Sequence, residues 1–132
     1  MKFLSIYKTA ERNAPPSAEE MAAMGQLIDE MTKSGALIAT EGCLPSVTGA
    51  RVRRTGGHVT VTDGPFAEAK EVIAGFALLQ ASSKAEAIAL TRRFLDVAGD
   101  GECELRQIYE GVGDCGQVAE HGVESRQLAA NV

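Results

Sequence analysis

A chain of 132 residues with 13 Lys and Arg against 18 Asp and Glu has the length of one domain and a formal charge of -5. That acidic surplus argues against a nucleic-acid footprint, even though Arg51, Arg53 and Arg54 gather in one short segment. Cys43, Cys103 and Cys115 stand far apart with no Cys-x-x-Cys pair, which points to neither a disulfide framework nor a zinc site.

The opening Met1–Lys8 stretch is too short in apolar length for a signal peptide, and no span approaches membrane-crossing length. The chain therefore reads as cytoplasmic and reduced. Phe3 to Lys8 reads as a strand and Thr9 to Pro16, with its Pro15-Pro16 pair, as a loop. Ser17-Ala18-Glu19-Glu20 is a capping box, in which Ser and Glu each satisfy an orphan backbone donor. Met21, Met24, Leu27, Ile28 and Met31 follow at helical spacing, and Gly35 ends the helix. Ala36 to Glu41 is a strand, leading into a stretch broken by Gly42, Pro45 and Gly49.

A hairpin comes next. A two-residue Gly56-Gly57 turn pairs Val52 with Val61 and sets Arg51 and Arg53 opposite Thr62 and Thr60. His58, Thr60 and Thr62 then share the arginine face, while Val59 and Val61 point the other way. Val72 to Gln80 is apolar on both faces, with Ile73, Ala77 and Leu79 opposed to Val72, Ala74, Phe76 and Leu78. Such a strand is central and covered on both sides. Ser83-Lys84-Ala85-Glu86 is a second capping box, whose helix turns Ala87, Ile88, Thr91, Phe94 and Leu95 inward and stops near Gly99. Glu102 to Tyr109 alternates as a last strand. Beyond Gly111 the composition becomes polar and glycine-punctuated, with at most a weak helix over 117–130. The expected organisation is a domain over 1–110 and a C-terminal extension over 111–132.

Without the hairpin the order is βαββαβ, so the expected class is α+β: a ferredoxin-like antiparallel sheet with two helices on one face. Because the strand at 72–80 is apolar on both sides, the helix-free face must meet something. A second copy is the simplest partner, which predicts a homodimer packed sheet to sheet with a ligand cavity between the sheets.

Asp63-Gly64-Pro65-Phe66-Ala67-Glu68, continued by Lys70-Glu71 and Gly75-Phe76, stands directly after the alternating run 58–62. With Met1-Lys2-Phe3, Tyr7, Gly35 and Glu41-Gly42 it resembles the DGPF group of YCII-related proteins, over residues 1 to about 110. The resemblance implies a ferredoxin-like, dimeric α+β barrel fold in a largely uncharacterised family whose genes often lie beside those for sigma factors. A related branch carries a His-Asp pair suited to acid/base chemistry. Its histidine falls near Met24 here, which transfers no proton, so that mechanism does not carry over. Ala69 also stands where a hydroxyl residue is common.

The residues themselves nominate a site. An Asp in a turn usually accepts from the N–H two residues on, but Pro65 has none. The Asp63 carboxylate is left to cap Phe66 or Ala67, or to bind. Gly64, ahead of a proline, is expected in a glycine-only conformation, and Phe66 is expected as an anchor. Asp63 is the candidate acid/base or orienting group. His58, the best general base on offer because an imidazole's ordinary pKa lies near neutrality, and Lys70, a possible proton shuttle, support it. Tyr7, Glu41, Arg51, Thr62, Phe66 and Glu68 are candidate ligand-binding residues.

No dinucleotide or P-loop glycine motif occurs and no metal-ligand spacing is visible, so neither cofactor nor metal is expected. The functional expectation is a small-molecule binder, with cofactor-independent lyase- or isomerase-like chemistry as its enzymatic form. The alternative is a non-enzymatic sensor or interaction module linked to sigma-factor regulation. No nucleic-acid or membrane partner is expected.

Overall fold

Both capping boxes form. In a computed structural model that describes residues 1–12 and 14–110, the Ser17 hydroxyl accepts the Glu20 N–H at 3.1 Å, and Ser83 does the same for Glu86 at 3.1 Å. These caps open helices α1 (Ala18–Lys33) and α2 (Lys84–Ala98). Gly35 and Gly99 follow them with positive φ of 82° and 97°, the left-handed region that glycine enters without a Cβ penalty. The strands are β1 (Lys2–Thr9), β2 (Leu37–Gly42), β3 (Ala50–Thr55), β4 (His58–Asp63), β5 (Val72–Gln80) and β6 (Glu102–Gln107). A short 3₁₀ turn at Ser46–Thr48 separates β2 from β3. The expected extension at 111–132, with its weak helix over 117–130, lies outside the described residues.

Four strands form one antiparallel sheet in the order β2-β5-β1-β6, while β3 and β4 pair only with each other. Two helices on this sheet give the ferredoxin-like α+β arrangement, with the hairpin inserted between its second and third strands. The core lies between sheet and helices: Phe3, Leu37 and Leu79 meet Leu27 and Met31 of α1 and Ala87 of α2. Arg93 ties α2 to Glu30 of α1 at 3.0 Å.

Two side chains expected in the core are exposed. Met21, in the first turn of α1, is 63% exposed, and Ile88 of α2 gives way to Leu90, further round the helix. A register shift between Tyr7 and Lys8 also moves Ile73. The irregularity sets Ile73 opposite Lys8, on the helix-free face with Phe76 and Leu78, and not with Ala77 and Leu79. An extra residue in a strand reverses the alternation beyond it.

The helix-free face is built in register. Leu4 pairs with Leu78 and Ile6 with Phe76; on the β6 side Arg106 and Glu104 flank them, and on the β2 side Ala39 and Glu41. Ile73 is 54% exposed and Phe76 39%. An apolar centre with a charged border is left uncovered in the single chain.

Candidate functional site

The corner that follows β4 is held from three directions. The Gly64 N–H donates to the Gly49 carbonyl at 2.9 Å, the Phe66 N–H donates to Ser46 Oγ at 3.0 Å, and the Gly64–Pro65 peptide is cis. Ser46 is buried and in turn donates through its hydroxyl to Glu11 Oε2 at 2.8 Å and through its N–H to Glu11 Oε1. Glu11, in the loop after β1, thus anchors the 3₁₀ turn and, through it, the corner. Neither Glu11 nor Ser46 stands out in the sequence, because they are 35 positions apart and no local pattern links them.

Gly64 is required, though not for the expected reason. It is absent from the glycines with positive φ. Its lack of a side chain instead lets the chain pass against the Ser46 carbonyl.

Phe66 is half-buried and forms a platform. The Arg51 guanidinium lies 3.9 Å from its ring centroid, and Arg51 Nη1 bonds Glu68 Oε1 at 2.6 Å. The Glu68 carboxyl is held below its usual range, first by its own backbone N–H and then by Arg51. Arg51, Phe66 and Glu68 are thus three expected site residues that the fold brings together.

The other candidates are dispersed. Phe66 donates to Ser46, so Asp63 does not cap it. Among the described residues the exposed Asp63 carboxylate makes no hydrogen bond or ion pair. The hairpin has the expected register, with Val52 opposite Val61 and Arg51 and Arg53 opposite Thr62 and Thr60. His58 and Asp63 therefore begin and end the same strand. Five residues of β-strand span about 17 Å, and an odd separation puts the two side chains on opposite faces. That parity was readable in the sequence. Thr62 lies on the arginine face beside Arg51, and the Lys70 side chain makes no ion pair among the described residues.

Tyr7 and Glu41 are also parted. Tyr7 lies on the helix side, edge-on to Phe94 with ring centroids 5.1 Å apart, and its hydroxyl donates to the Asp100 carbonyl at 2.8 Å. Glu41 sits opposite Phe76 on the helix-free face. On that same face Lys8 bonds Glu104 at 3.0 Å and Arg106 bonds Glu104 at 3.3 Å. The Lys8 bond, then the Arg106 bond, lowers the Glu104 pKa, and Glu104 raises that of Lys8. Among the described residues no group of three His, Cys, Asp or Glu side chains gathers as a metal site requires. No described helix is long and apolar enough to cross a membrane.

Two helices on one face of a β2-β5-β1-β6 sheet, with a buttressed corner after an inserted hairpin, define a ferredoxin-like α+β domain. The chain belongs to the YCII-related domain family, which matches it over residues 1–111. An uncharacterised protein of Rhizobium meliloti (strain 1021) is 37% identical over 60 residues, which is 46% of this chain and 48% of that protein. The match thus spans about half the length of that relative. Among solved structures, the divalent cation tolerance protein CutA1 from Thermus thermophilus is similar at a TM-score of 0.39 and 14% identity, covering 84% of this chain and 87% of that one. At that level of similarity the fold is read from this chain's own strand order.

Proposed function

We propose that this chain acts as a homodimer joined through its helix-free sheet faces, and that a small, largely apolar molecule with a polar end binds between them. One observation carries the reading: Leu4, Ile6, Phe76 and Leu78 form an apolar centre bordered by Glu41 on one side and by Lys8, Glu104 and Arg106 on the other. Burying side chains of this size is worth about 1.5–3 kcal/mol each, and a mostly apolar chamber with a few placed polar groups is the usual form of a small-molecule site. Among the described residues Cys43 and Cys103 are free cysteines, and the reading takes the compartment to be the reducing cytoplasm.

The separation of His58 from Asp63 supports binding over turnover within one protomer, since an acid and a base that work together must both come within hydrogen-bond reach of one substrate. The exposed hairpin favours, as a second reading, a sensor or interaction module, and its link to sigma-factor regulation rests on the family resemblance alone. Native mass spectrometry of freshly purified protein tests the first reading. A dimer carrying a co-purifying small molecule is expected, with Phe76→Glu losing the small molecule and association through the sheet face while keeping its circular dichroism. A natural chain that is folded and monomeric at micromolar concentration would overturn it.

A further inference from the structure

The β3–β4 hairpin stands apart from the main sheet, and all twelve of its strand residues are exposed. Isolated two-stranded ribbons are at best marginally stable in water, yet this one carries Val52, Val59 and Val61 on a single face at 69%, 61% and 63% exposure. The register places Ala50 and Asp63 at the base of that face, Val52 and Val61 at its middle, and Arg54 and Val59 towards its tip. Its charge is therefore polarised, negative at the base and positive at the tip. Neither Arg54 nor Asp63 has an ion pair among the described residues.

We propose that this valine face docks against the same face of a second copy, antiparallel, so that each Arg54 meets the partner's Asp63. The pattern is self-complementary. A two-fold axis through the Val52–Val61 level superposes the middle of the face on itself and carries the base of one hairpin onto the tip of the other. The valines then stack across the axis, and the two free charges become two equivalent pairs. The opposite face, with Arg51, Arg53, Thr60, Thr62 and His58, stays outside the contact. The same packing gives the Asp63 carboxylate a counter-ion that its own protomer does not supply. This contact goes beyond the sheet-face reading and rests on different residues: Phe76→Glu tests the sheet face, and hairpin charge swaps test this one.

The experiment is a charge-swap mixture followed by analytical ultracentrifugation and native mass spectrometry on the full chain. R54D sets like charges at both pairs, and so does D63R, so each alone is expected to self-associate more weakly, on the order of tenfold or more. Mixed together, the two variants form heterodimers in which both pairs are opposite in charge, one natural and one reversed, while each homodimer keeps two like-charge pairs, and heterodimers are expected well above the statistical half of all dimers. The chain carrying both swaps is expected to recover the natural association. Circular dichroism checks folding; should D63R fail to fold, R54E with D63K carries the same test. A statistical distribution in the mixture, single variants that associate like the natural chain, or a natural chain monomeric throughout would each overturn the proposal.

Discussion

A Cβ on Gly64 would lie 1.6 Å from the carbonyl oxygen of Ser46 and 2.6 Å from its carbon. The obstacle is backbone, which cannot swing aside as the end of a side chain would. Ser46 itself is fixed by Glu11 and fixes Phe66 in turn. The corner that presents Asp63 therefore depends on a contact between three segments far apart in the chain.

Gly64→Ala is accordingly expected to destabilise the fold by about 1–3 kcal/mol or more, the range for forcing extra atoms into a packed site. The denaturation midpoint in urea measures this. An unchanged midpoint would show that the 3₁₀ turn can move away from the corner.

Glu11→Ala removes the acceptor for both the Ser46 N–H and its hydroxyl. A buried donor left without a partner costs about 1–3 kcal/mol. Glu11→Gln, which keeps one carbonyl acceptor, is expected to lose less. Equal losses in the two variants would mean that the two bonds contribute little beyond packing.

The helix α1 entry is expected to be acid-sensitive. The Glu20 carboxyl is lowered to about 2, first by its hydrogen bond to Arg12 and then by the Ser17 backbone. A depressed carboxyl pKa stabilises the folded state fully above the unfolded value near 4.5. That contribution fades as pH falls below 4.5 and through about 2. Arg12→Met is therefore expected to lower stability at neutral pH and to make little difference at the acid end of this window. Carbon-detected NMR titration of Glu20 in both proteins reads the shift directly; identical titrations would remove the Arg12 bond from the account.

Cys103 is half-buried beside Ser5, and burial raises its thiol pKa, whereas Cys43 is exposed. The thiolate is the reacting form, so an alkylating reagent near neutral pH is expected to modify Cys43 well before Cys103. Mass spectrometry of peptides over a time course gives the order. Faster reaction at Cys103 would mean that β6 opens readily.

The sequence by itself determined whatever depends on near neighbours. Ser17 and Ser83 cap helices because their partners stand three residues on, and the hairpin register follows from Gly56-Gly57 and the alternation on either side. The ferredoxin-like order could be read because each element carries its own period. What joins distant segments was decided only in the tertiary structure. The sheet irregularity at Tyr7/Lys8 turns Ile73 to the helix-free face, against a plain alternation count. Tyr7 spends its hydroxyl on the α2–β6 turn and not beside Glu41, because its strand position faces the helices. The corner needs Gly64 because Ser46, 18 positions earlier, is brought against it. Local pattern fixes a backbone conformation over a few residues; which backbones then touch is set by packing, and packing has no period to read.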